Sequence, residues 1–140
     1  MALHIHDLID EGYDTFISGM ARGVDTWAAR LVLDRKQKDP KIRLICAMPY
    51  RAHGAGFKGE DRWNLCNLLE GCDDIVYVSD KYFTGCMDVR NRYMVDNSSA
   101  VLAVVSDYKS GTGKTIAYAR RQGVRCDVID LNKNAAMFLS

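Results

Sequence analysis

A doubly wound α/β fold, with a mainly parallel sheet and helices on both faces, is predicted for this 140-residue chain by three features. Five short runs rich in β-branched residues punctuate the sequence, stretches with helical spacing separate them, and the runs are apolar at successive positions rather than alternating. A strand of that kind must bury both faces, and neighbouring parallel strands need a crossover, so the combination describes a Rossmann-like sheet covered on two sides.

The elements follow in order. A helix is expected at Ala2 to Glu11 and a first strand at Thr15 to Ser18. The clearest helical spacing runs from about Val24 to Lys36, where Val24, Ala28, Leu31, Val32 and Arg35 fall on adjoining turns. Strands at Arg43 to Met48, Asp74 to Ser79, Ala100 to Ser106 and Arg125 to Leu131 alternate with helices near 60–71, 86–97 and 113–122. Polar or glycine-bearing turn residues follow each strand.

Composition bounds the function. A hydrophobic share of 48% closes one core in a chain of this length, so residues 1–140 are expected to form a single domain. Nineteen basic against eighteen acidic side chains give a net charge of +1, which supplies no global field for a polyanion and makes nucleic acid an unfavoured partner. The five cysteines (Cys46, Cys66, Cys72, Cys86 and Cys126) form no C-x-x-C pair, which fits reduced thiols in cytoplasm better than zinc or a disulfide framework. No apolar stretch approaches the roughly twenty residues that span a bilayer, and no membrane association, metal or cofactor is expected.

In a doubly wound sheet, ligands sit outside the carboxyl ends of the strands. Ser18-Gly19-Met20-Ala21-Arg22-Gly23-Val24-Asp25 follows the first strand. Its two glycines permit close backbone approach and the next helix offers free N–H groups to an anion, although the same glycines would also serve a plain strand-to-helix turn. Pro49 and Tyr50 follow the second strand. Ser110-Gly111-Thr112-Gly113-Lys114-Thr115 follows the fourth and ends like a Walker-type phosphate loop, but that loop needs a glycine where Tyr108 stands. Backbone cradling of a phosphate remains open to it.

On the helix near 86–97, Arg90 and Met94 share one face and Arg92 and Asp96 another. A guanidinium suits bidentate contact with phosphate, and an Arg92–Asp96 ion pair on a solvated face is the plainer alternative. His4, His6 and His53 match no zinc spacing and are expected at the surface. Trp27 is expected in the core or as a pocket wall. Trp27, Tyr50 or Tyr93 are the candidates to stack on a base, and Arg22, Arg90 and Lys114 the candidates to meet phosphates.

The phrase from Phe16 to Ala29, FISGMARGVDTWAA, resembles the signature of the YpsA family within the SLOG superfamily. The resemblance continues through Met48-Pro49-Tyr50, Glu60-Asp61-Arg62, Tyr82 to Met87 and Arg90 to Asp96, and covers roughly Leu8 to Ile129. It implies a Rossmann-like domain for nucleotides and nucleotide-derived signals, related to the DNA-processing protein DprA and to the LOG enzymes that cleave cytokinin nucleotides. The ligand-binding set it implies here is Ser18, Gly19, Met20, Ala21, Arg22, Gly23, Asp25, Trp27, Pro49, Tyr50, Arg90, Asn91, Met94, Ser110, Gly111, Thr112 and Lys114.

Two departures from the resemblance shape the expectation. Family members usually begin with a strand before the first helix, whereas this sequence opens in the helix. One normally central strand is therefore expected to be missing, so that the sheet is completed by a neighbouring chain or by the carboxyl-terminal tail, or the ligand site lacks one wall. Because an open edge invites association, a homodimer or higher homo-oligomer is expected. The LOG pattern Met-x-x-Arg-Lys is matched by Met87, Arg90 and Asn91, but its Gly-Thr-x-x-Glu turn is matched by Gly111, Thr112 and then Thr115. A threonine hydroxyl cannot stabilise an oxocarbenium-like centre as a carboxylate does. The reading is thus capture of a nucleotide or ADP-ribose-derived ligand, for sensing or sequestration, without turnover and with no catalytic residue. The alternatives are a LOG-type nucleotide hydrolase using Arg90 with Asp25 or Asp96, and a DprA-like single-stranded DNA binder using Arg90-Arg92 or Arg120-Arg121 with Arg125.

Overall fold

The computed structural model describes residues 1–132 as five strands, in one three-stranded and one two-stranded parallel sheet, alternating with helices in an α/β Rossmann-like arrangement. The strand and helix positions agree with the sequence-based expectation to within a few residues. The chain divides into two compact units, Met1–Met94 and Val95 onward, each described by itself.

In the first unit, α1 (Ala2–Asp10) buries Ile5 and Leu8, three residues apart on one helix face. Strands β1 (Thr15–Ser18), β2 (Arg43–Met48) and β3 (Asp74–Tyr77) form a parallel sheet with β2 in the middle. The middle strand is the apolar centre, with Leu44, Cys46 and Ala47 fully buried. Thr15 pairs with Arg43 and Ser18 with Cys46, while Met48 pairs with Tyr77. The segments after β1 and β2 therefore leave the sheet at the same end.

The crossover helix α2 (Val24–Lys38) buries Thr26, Ala29 and Val32 at three-residue spacing. It carries Asp25 in its first turn and Arg35, Lys36 and Lys38 in its last, which matches the sign of the helix dipole at both ends. A 3-10 helix (Arg51–Gly56) follows β2, and α3 (Gly59–Gly71) returns to β3, burying Leu65 and Leu68. The carboxylate of Asp73 ties these elements together by accepting from the Leu44 N–H at 2.8 Å and pairing with Lys36. Helix α4 (Cys86–Asp96) closes the unit.

The second unit contains the parallel pair β4 (Ala100–Val105) and β5 (Arg125–Asp130), in register from Ala100–Arg125 to Val105–Asp130. Helix α5 (Gly111–Arg121) connects them, and Ala103, Val105 and Ile116 form the core of the unit.

Among the described residues, β1 is bonded to a strand along one edge, to β2, and β4 along one edge, to β5. The expectation that every strand buries both faces holds for β2 and is corrected for β1, where Phe16 and Ile17 are only half-buried. No helix among the described residues is long and apolar enough to cross a membrane.

Candidate functional site

The turn after β1 is built from the inside by its own side chains. The Ser18 hydroxyl donates to the Asp25 carbonyl at 3.0 Å and accepts from the Met20 N–H at 3.3 Å, while the Asp25 carboxylate accepts from the Ala21 N–H at 3.1 Å. Thr26 donates from its hydroxyl to the Gly23 carbonyl at 2.9 Å. These bonds close Ser18–Asp25 into a rigid loop that consumes the short polar side chains. Met20 takes a left-handed φ of 59°, unusual for a residue with a side chain, while that side chain is fully buried. Gly23 has φ 90° and precedes α2, whose N-terminus has no side-chain cap.

Two residues distant in sequence hold the loop from below. Arg90, on α4, is only 4% exposed; it donates to the Gly19 carbonyl, to Asn91 Oδ1 at 2.8 Å and toward the Met87 sulfur at 3.9 Å. A Cβ at position 19 would stand 2.8 Å from its guanidinium carbon, so a larger residue there obliges the end of the Arg90 side chain to move. His53, in the 3-10 helix, is buried and its Nε2 lies 3.1 Å from the Met20 carbonyl, which fixes the proton on that nitrogen if it donates. This corrects the expectation of a surface histidine.

The charges are mutually dependent. Burial pulls the Arg90 guanidinium below its ordinary pKa, and the nearby Asp25 carboxylate works against that fall. Burial also lowers the His53 imidazole; the Met20 hydrogen bond and Asp25 oppose the shift, and Arg90 and Arg22 reinforce it. Beside the loop, the Arg22 guanidinium lies 5.6 Å over the Phe57 ring.

The first unit thus brings together Ser18, Gly19, Met20, Ala21, Arg22, Gly23 and Asp25 with Arg90 and Asn91. Pro49 is fully buried and Tyr50 half-buried, the latter packing edge-on to His53 at 5.8 Å. Met94 is half-buried on α4. Trp27, expected in the core or as a pocket wall, stands 64% exposed on the first turn of α2. His53, Phe57 and Tyr82 were not among the ligand-site candidates read from the sequence; the signal available for His53 was its place just after β2, at the same sheet end as the turn. An open groove of about 570 Å³ between α2 and α3, lined by Arg30, Leu33, Trp63 and Asn67 among others, shares no residue with this loop.

Ser110, Gly111, Thr112 and Lys114 belong to the second unit. Ser110 caps α5 by accepting from the Gly113 N–H at 3.3 Å, and Gly111, Thr112 and Lys114 are exposed. Thr115, where the LOG pattern has glutamate, donates from its hydroxyl back to the Gly111 carbonyl at 2.9 Å. Tyr108, where a Walker-type loop needs glycine, is an anchor: its hydroxyl donates to Asp130 at 3.1 Å, and its carbonyl lies 1.9 Å from where a Cβ on Gly113 would be. Asp96 accepts from the Tyr118 hydroxyl at 2.7 Å. Among the described residues, no group of three or more His, Cys, Asp or Glu side chains is placed to hold a metal ion.

The sequence is similar to the SPbeta prophage-derived protein YoqJ of Bacillus subtilis, with 33% identity over 118 residues, covering 76% of this chain and 69% of that protein. It is also similar to a UPF0398 protein of Halalkalibacterium halodurans, 28% identical over 107 residues and covering 75% of this chain and 57% of the relative. A UPF0398 protein of Bacillus thuringiensis is 23% identical over 116 residues, 81% of this chain and 63% of the relative, so the chain spans about three-fifths of the length of these UPF0398 proteins. The family model YpsA, described as the YspA SLOG family, matches residues 1–133, and the chain belongs to that family.

Proposed function

We propose that this protein captures a nucleotide or ADP-ribose-derived ligand at the Ser18–Asp25 turn and does not turn it over. One observation carries the reading: the three groups that a LOG-type hydrolysis would use already have structural tasks. Arg90 is buried against the Gly19 carbonyl, the Asp25 carboxylate accepts from the Ala21 N–H, and Asp96 is engaged with Tyr118 in the second unit. A general acid or nucleophile must reach the reacting bond, and groups committed in this way support binding rather than hydrolysis. The start of α2 with no side-chain cap, next to the exposed Arg22, supports anion recognition by backbone N–H groups and the helix dipole.

The test is to incubate the purified protein with a panel of nucleotides, including linear and cyclic ADP-ribose derivatives, and to follow melting temperature together with mass spectrometry of the recovered ligand. A stabilising shift with the ligand recovered intact is expected. Release of free base, or any other conversion, replaces capture with catalysis; a panel that produces no shift removes the binding reading altogether.

A further inference from the structure

Next to the turn, four rings are packed edge to face in a row. Phe57 and His53 lie 5.1 Å apart at 68°, His53 and Tyr50 5.8 Å apart at 83°, and Tyr50 and Tyr82 5.5 Å apart at 81°. At one end Phe57 is buried under the Arg22 guanidinium, and His53 reaches the Met20 carbonyl of the turn. At the other end Tyr82 is 65% exposed. Exposure rises along the row from buried Phe57 and His53, through half-buried Tyr50, to Tyr82. Each ring is oriented by an edge contact with its neighbour, so the last one is held at low entropic cost with most of its surface in water.

We infer that Tyr82, held by Tyr50, is the stacking platform for the base of the nucleotide whose phosphates lie at the Ser18–Asp25 turn. The inference rests on the proposed function for the position of the phosphates. Trp27, an exposed ring on the first turn of α2, belongs to no such row among the described residues. A free aromatic face is sequence-tolerant toward bases and distinguishes a nucleotide from a base-free phosphate. The chemical class is therefore a nucleotide, alone or as part of a larger ADP-ribose-type molecule, rather than a base-free phosphate.

ADP and inorganic pyrophosphate are the matched probes, since they share the diphosphate and differ in the nucleoside. Calorimetric titration of the wild type is expected to give tighter binding of ADP than of pyrophosphate. Tyr82→Ala is expected to weaken ADP about tenfold while leaving pyrophosphate unchanged, and Tyr82→Phe to retain ADP binding. Trp63→Ala, which removes an equally exposed ring from α3, is expected to change neither. Equal melting temperatures for wild type and Tyr82→Ala establish that the fold is intact. The platform is overturned if Tyr82→Ala binds ADP as the wild type does, or loses ADP and pyrophosphate alike. A wild type that binds pyrophosphate as well as ADP overturns the platform but leaves anion capture standing, whereas one that binds neither overturns both.

Discussion

The guanidinium of Arg90 fills the space that a side chain at position 19 would need, with its Cζ 2.8 Å and its Nε and Nη1 2.9 Å from the place of the absent Cβ. Residues 71 positions apart are thereby fitted to one another at the carboxyl end of β1. Gly19→Ala is expected to lower unfolding stability in urea by about 1–3 kcal/mol, because the buried Arg90 has to leave its place against the turn. In an Arg90→Met background the same substitution is expected to cost less than in the wild type. Equal costs in the two backgrounds refute the coupling.

Met20 combines a left-handed backbone with a fully buried side chain, and the two can be separated by substitution. Met20→Ala empties the side-chain space and keeps the unfavourable φ, for a loss of about 2–5 kcal/mol. Met20→Gly removes one more carbon but relieves the backbone, and is expected to be more stable than Met20→Ala by about 1 kcal/mol. Denaturant midpoints decide the order.

His53 makes stability depend on pH in a defined direction. Its pKa is lowered by burial in the folded chain, so the unfolded chain takes up the proton first as pH falls. The contribution of the neutral imidazole is fully present above its ordinary value of 6.5 and is lost as pH drops from there toward the lowered folded value. Melting temperature is expected to fall between about pH 7 and pH 5, and His53→Gln, which keeps an N–H donor for the Met20 carbonyl, to flatten that fall. The Asp73 carboxylate, held below its ordinary 3.8 by its bonds to Lys36 and to the Leu44 N–H, contributes above that value and fails only below it. It therefore leaves the histidine window clear.

Gly113 is expected to tolerate nothing larger. A Cβ there would lie 1.9 Å from the Tyr108 carbonyl oxygen and 2.4 Å from its carbon, and backbone atoms cannot swing aside as a side-chain end can. Gly113→Ala is expected to destabilise the second unit by about 3 kcal/mol or more, seen as lost amide protection along α5 by hydrogen exchange. Wild-type protection in α5 would contradict this packing.

The elements and the turn were legible from the sequence because they are local. An apolar run such as Leu44 to Met48 specifies a buried strand on its own, Ser18, Gly19 and Gly23 mark the turn at its end, and the resemblance carried by Phe16 to Ala29 identified the family. Which side chains would face inward around the turn was less accessible. His53 reads as a polar residue in a glycine-rich loop and is buried; Trp27 reads as core or pocket wall and stands largely in water. Tyr82 sits inside a recognisable motif with nothing in its neighbours to mark an exposed ring.

By itself the sequence determined the order of strands and helices, the Rossmann-like class and the place where the chain turns back at the carboxyl end of β1, since periodicity and turn chemistry act over a few residues. Only the tertiary structure decided that Arg90 lies under Gly19, that His53 meets Met20, and that the rings from Phe57 to Tyr82 stand in a row. The physical reason is that burial and charge are properties of neighbours brought together across tens of residues. A side chain's environment is set by the packing of the elements around it, which no local pattern encodes.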